Sequence, residues 1–91
     1  MEAREALRLG LVHHVAPAGA LDAAVAAVVD DLLAGGPIAL AETKRLLDEL
    51  PALAPAEVAG VTAARIAEVR RGPEAQAGLR AFLQRGSPPW R

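Results

Sequence analysis

Proline and glycine cut this 91-residue chain into short lengths, and that punctuation limits what it can fold into. Breaks fall at Gly10, Pro17, Gly35-Gly36-Pro37, Pro51, Pro55, Gly72-Pro73 and Gly86, where glycine stops helices or proline starts them. Between the breaks, apolar residues recur at helical spacing. Ala3, Ala6 and Leu7 share one side of a first helix, and Gly10 stands where a left-handed residue would end it. Leu11-Val-His-His-Val15 reads as an extended connector, closed by Ala16-Pro17 because proline disfavours helix at the residue before it. Leu21, Ala24, Val25, Val28, Val29 and Leu32 then form the clearest amphipathic stripe, ended by Gly35-Gly36. Pro37 suits the first turn of a third helix carrying Leu40, Leu46, Leu47 and Leu50, and Pro51 and Pro55 bracket a short connector. A fourth helix over residues 56–71 places Val58, Val61, Thr62, Ile66 and Val69 on one side. The fifth, after Gly72-Pro73, puts Ala75, Gly78, Leu79, Phe82 and Leu83 on one stripe before Gly86. The expectation is an all-α fold of about five helices, in one domain over residues 1–91, with sequential helices as packing neighbours.

The apolar residues predict a weak interior. They make up 53% of the chain, yet only 2% of residues are aromatic, so alanine, leucine and valine supply the bulk. Alanine favours helix but buries little area, so the helices should form more readily than they hold together. A domain this short buries only about 60–65% of its unfolded surface in any case. Phe82 and Trp90 are the only rings and both fall in the last ten residues, which suggests an end built to dock.

Net charge is −1 with acids and bases interleaved, so neither nucleic acid nor a membrane surface is an expected partner. No cysteine is present, which removes disulfides, thiolate catalysis and cysteine zinc sites and fits a reducing compartment. No leader-like segment is visible. Asp30-Asp31 and Gly35-Gly36 interrupt the most apolar run well short of the ~20 residues of a membrane span. These features lead to the expectation of a soluble, cytoplasmic protein.

Few residues suggest chemistry on their own. His13-His14 could bind a metal, but neighbours in an extended segment point to opposite faces and cannot easily share one ion. Asp30-Asp31 and Asp48-Glu49 are consecutive on helix flanks, where side chains diverge, so both pairs read as solvated rather than as acid/base couples. Lys44-Arg45 reads as a solvated face, and Arg70-Arg71 as complementing a helix C-terminus. The glycine pairs lack the lysine of a phosphate loop. Phe82 and Arg85 differ from these, since an aromatic face three residues from a guanidinium is a fair platform for adenine or phosphate.

Four segments in order carry a family resemblance. They are Ala3, Ala6 and Gly10-Leu11-Val12; the helix over residues 21–32; Pro37, Ala39 and Lys44; and Gly78, Ala81-Phe82, Arg85, Pro88 and Trp90. The chain resembles the closing segment of the enoyl-CoA hydratase/isomerase (crotonase) superfamily, whose members end in a pattern E-G-x-x-A-F-x-x-[KR]-x-x-P-x-[FW]. Two departures stand out: Ala77 occupies the usual acidic position before the glycine, and Gly86 replaces a common second basic residue.

The resemblance implies a helical trimerisation end of a larger spiral fold, closing over the active site of its own or a neighbouring subunit. It implies that Phe82, Arg85 and Ile66 lie near the adenine and phosphates of CoA. It also implies that the oxyanion-hole amides and acid/base glutamates belong to a spiral catalytic portion N-terminal to this segment. No residue here is therefore assigned a catalytic or metal-binding role, and no cofactor is expected beyond acyl-CoA as the family's substrate. The function expected is the C-terminal segment of a hydratase-like lyase or isomerase of fatty-acid metabolism. It would complete an oligomer and a CoA pocket, contact CoA weakly, and be inert alone. Its partners would be copies of itself or a catalytic crotonase half. The alternative is a non-catalytic helical self-association or docking module.

Overall fold

Proline opens three helices at their first position, where its fixed φ suits the helix and its missing N–H would have had no partner. The computed structural model describes residues 1–91 and contains five α-helices and no strand. They are α1 (Ala3–Arg8), α2 (Leu21–Ala34), α3 (Pro37–Glu49), α4 (Pro55–Arg71) and α5 (Pro73–Leu83), with a 3-10 turn over Leu50–Ala52. The all-α expectation holds. The chain divides into two units, Met1–Asp31 and Leu32–Arg91.

In the first unit, α1 stops at the glycine expected to stop it. Gly10 has φ 73°, its N–H donates to the Leu7 carbonyl at 3.0 Å, and the Leu11 N–H donates to the Ala6 carbonyl at 2.9 Å. This is a Schellman ending. Residues 11–15 form no strand. A turn over residues 17–20 then leads into α2, with Gly19 at φ 81° and the Ala20 N–H donating to the Pro17 carbonyl at 3.0 Å. The amphipathic stripe of α2 is present, but Leu21, Val25, Val28, Val29 and Leu32 are all exposed and only Ala24 is half-buried.

In the second unit, α3 packs on α4 and α4 on α5. Leu46, Leu50, Val58, Val61, Thr62 and Val69 are half-buried. Two stripes differ from expectation. On α4, Arg65 occupies the half-buried side and Ile66 faces out. On α5, the half-buried residues are Glu74, Ala75, Ala77, Gly78 and Ala81, whereas Leu79, Phe82 and Leu83 are exposed. The small residues turn inward because a ring lies over them. The C-terminal tail folds back and sets Trp90 against Gly78, where an added Cβ would stand 2.8 Å from the Trp90 Cη2. The indole N–H donates to the carbonyl of Ala34, the last residue of α2, at 3.2 Å.

The helix ends are closed by side chains from the next turn or helix. Ala54 precedes α4 and has no side-chain acceptor, but Glu57 reaches back to its N–H at 2.8 Å, giving half of a capping box. The Gln76 amide donates to the Arg70 carbonyl at 2.7 Å, closing the other end of α4. At the end of α5 the left-handed residue is Arg85, φ 54°, and not Gly86. The Arg85 N–H donates to Phe82 and the Gly86 N–H to Ala81, at 3.1 and 2.8 Å, so a Schellman turn is made with arginine in the position that favours glycine. No apolar side chain anywhere in the chain is buried.

Gly78→Ala tests the inward face of α5. The methyl group would displace the ring, so the variant should lose about 1–3 kcal/mol, and emission from Trp90, the only tryptophan, should shift to the red. Unchanged emission and an unchanged thermal midpoint would show that the ring does not rest on this glycine.

Candidate functional site

The three residues singled out for CoA occupy two places. Phe82 lies on the outer face of α5 and is 78% exposed, beside the equally exposed Leu83. Arg85 lies beyond the end of α5, so helical i, i+3 spacing does not relate it to Phe82; its left-handed backbone sets its direction instead. No carboxylate pairs with its guanidinium. Ile66, 64% exposed, lines an open cleft between α3 and α4 with Ala39, Thr43, Leu46, Thr62 and Val69. Phe82 and Arg85 do not line that cleft. The structure thus keeps Phe82 and Arg85 close along the chain at one helix end and leaves Ile66 on a separate apolar surface.

The rim of the α3–α4 cleft is ionic. The Arg65 guanidinium reaches the carboxylates of Glu49 at 2.6 Å and Glu42 at 3.5 Å, and Glu42 also pairs with Arg45. Glu49 is exposed, as its place beside Asp48 suggests, and is also half of an interhelical pair with a partner sixteen residues away on another helix. Arg65 is committed to these carboxylates, so the cleft offers no free cation. Its remaining surface is apolar and suits packing more than recognition of an anion. His14 lines a second open apolar cleft with Ala16, Leu21, Ala24, Val25 and Val28. No group of three His, Asp or Glu side chains is placed to hold a metal.

The most organised polar site was not singled out from the sequence. Glu74, in the first turn of α5, sends its carboxylate to the first turn of α3. One oxygen accepts from the Ile38 N–H and the other from the Ala39 N–H, both at 2.9 Å. Two of the amides that a helix start leaves without partners are satisfied by one anion, which the helix dipole also favours. Hydrogen bonds to a charged group contribute about 1.5–3 kcal/mol. Gly36 precedes Pro37 and has no side chain to cap its own helix, yet its bareness makes the remote cap possible. A Cβ at this buried position would stand 2.5 Å from a Glu74 carboxylate oxygen.

That geometry fixes the outcome of a double-mutant cycle. Gly36→Ala alone should lose about 1–3 kcal/mol by pushing the carboxylate away. In a Glu74→Ala background the same change should be close to neutral. Thermal unfolding followed by circular dichroism measures all four corners, and additive losses would mean that the two positions do not interact.

No protein-family profile matches the chain. Sequence comparison does find a relative: a Thermus thermophilus protein described as an enoyl-CoA hydratase is 34% identical over 88 residues, a match covering 97% of this chain and 35% of that one. Two crystal structures agree in fold. The enoyl-CoA hydratase from Shewanella pealeana superimposes with a TM-score of 0.86 at 35% identity, over 99% of this chain and 34% of its own. That from Mycobacterium tuberculosis gives 0.80 at 34% identity, over 97% and 35%. The chain spans about a third of the length of the relatives it matches, and that third is their C-terminal part. At 34–35% identity over nearly its whole length, the chain matches the C-terminal region of enoyl-CoA hydratases, members of the crotonase superfamily.

Proposed function

We propose that this chain is the CoA-binding and assembly end of an enoyl-CoA hydratase-type protein, and that it has no activity without the catalytic portion. The reaction of such a protein is the addition of water across the 2,3-double bond of an acyl-CoA thioester, through an enolate whose oxygen needs aimed hydrogen-bond donors. Phe82 would stack on the adenine and Arg85 would pair with a phosphate, while the exposed stripes would cover neighbouring protein.

The observation that carries this reading is Arg85. A non-glycine residue in the left-handed region costs about 1–2 kcal/mol, and strain of that kind invites a functional explanation. The turn itself asks for glycine. What arginine adds is a guanidinium without a carboxylate partner, three residues from a ring that is 78% exposed. The open apolar faces support the assembly half of the proposal, because no side chain of this unit forms an interior by itself.

Two measurements test it. The 91-residue chain should show no turnover of enoyl-CoA substrates, and activity that survives repurification and is lost on heat treatment would refute the inert reading. Arg85→Gly should raise stability by about 1 kcal/mol by relieving the turn and should also weaken CoA binding, which in the isolated chain is expected near millimolar. Higher stability with unchanged CoA affinity would assign Arg85 no part in the pocket. That outcome would favour a helical docking module without a CoA site.

A further inference from the structure

We infer that Glu74 is a positioning residue: its carboxylate sets the direction of α5 on α3 and thereby fixes where Phe82 and Arg85 stand. The functional side of this inference rests on the CoA reading above, but the geometric side stands by itself. Glu74 and Phe82 are eight residues apart on one helix, so their sites are about 12 Å apart along its axis. At 100° per residue they also differ by about 80° around it. The half-buried carboxylate side and the exposed ring side of α5 are therefore distinct, and a change in the tilt of the helix at Glu74 displaces the ring without touching it.

Three features make this more than an ordinary helix cap. The contact is bidentate, with each carboxylate oxygen on a different amide at 2.9 Å, so it fixes orientation as well as distance. It joins residues 35 and 36 positions apart and ties two helices together at their starts. The neighbouring position is a buried glycine, where a Cβ would stand 2.5 Å from a carboxylate oxygen of Glu74. An N-cap on α3 from its own chain neighbour would satisfy one of the same two amides without holding α5, so capping and positioning can be separated by mutation.

The experiment uses the full 91-residue chain, which has no cysteine. Spin labels on Lys44→Cys in α3 and Arg80→Cys in α5, both at exposed positions, report the distance distribution between the helices. A single narrow distribution is expected with Glu74 present. Glu74→Gln keeps the size of the side chain but turns an amide donor toward two N–H groups, so it should broaden the distribution as Glu74→Ala does. In Glu74→Ala with Gly36→Ser, the serine supplies a local cap to one of the two amides; the thermal midpoint should recover in part while the distribution stays broad. If the distribution narrows again together with stability, or never broadens, Glu74 only caps and the inference is overturned.

A CoA titration of the same variants distinguishes the two readings. If Phe82→Ala weakens binding, Glu74→Ala with Gly36→Ser should weaken it by a similar factor, about tenfold or 1.4 kcal/mol for one well-placed contact. Unchanged affinity beside a broad distance distribution would overturn the link from Glu74 to the ring. If Phe82→Ala itself leaves affinity unchanged, the CoA reading fails, and the distance distribution alone decides whether Glu74 directs α5.

Discussion

The second unit depends on a meeting of opposite helix ends at residues 34–36. The α2 helix finishes at Ala34 with carbonyls that lack donors, and α3 starts at Pro37 with amides that lack acceptors. A single element and its tail satisfy both. Trp90 donates an N–H to the carbonyl end, and Glu74 places a carboxylate at the amide end. The signs match the helix dipoles, positive hydrogen toward the C-terminus and negative charge toward the N-terminus. Gly36 and Gly78 are required in this arrangement because each contact brings a side chain where a Cβ would be.

That constraint explains why α5 packs contrary to its composition. Large residues face inward on most amphipathic helices. Here an indole ring must lie against α5 at Gly78, and the half-buried face is made of Glu74, glycine and alanine while leucine and phenylalanine are left outside. The unit is held by a few directional contacts more than by buried area, and its large side chains remain available on the surface.

Much of this was legible in the sequence. Helix starts follow Pro37, Pro55 and Pro73, and Gly10 supplies the left-handed ending of α1, because these residues act through local backbone preference. Which face of each helix turns inward was less legible. Ile66 and Arg65 are neighbours, and hydropathy favours isoleucine for the inner side; the carboxylates of Glu42 and Glu49 on α3 decide for arginine. The role of Glu74 was hidden for a similar reason. An acidic residue in a first helical turn is explained by its own helix, and nothing within a few residues indicates that it serves another. Gly36 was the available clue, a glycine in a capping position that most often holds a side-chain acceptor.

Arg85 shows how a local exception can point past the fold. The turn that ends α5 must reverse the chain so that Trp90 reaches Gly78, and glycine at position 85 would make that turn at lower cost. Gly86 follows immediately, so the sequence holds a glycine one residue after the position that needs it. The fold alone therefore gives no reason for arginine there. The side chain pairs with no acid, and an exposed phenylalanine stands three residues before it. A strained, unpaired guanidinium near an uncovered ring is costly for an isolated helix bundle. On the reading proposed above, its use would be to hold an anionic group joined to a flat ring system, which is the chemistry of the adenine and phosphates of CoA.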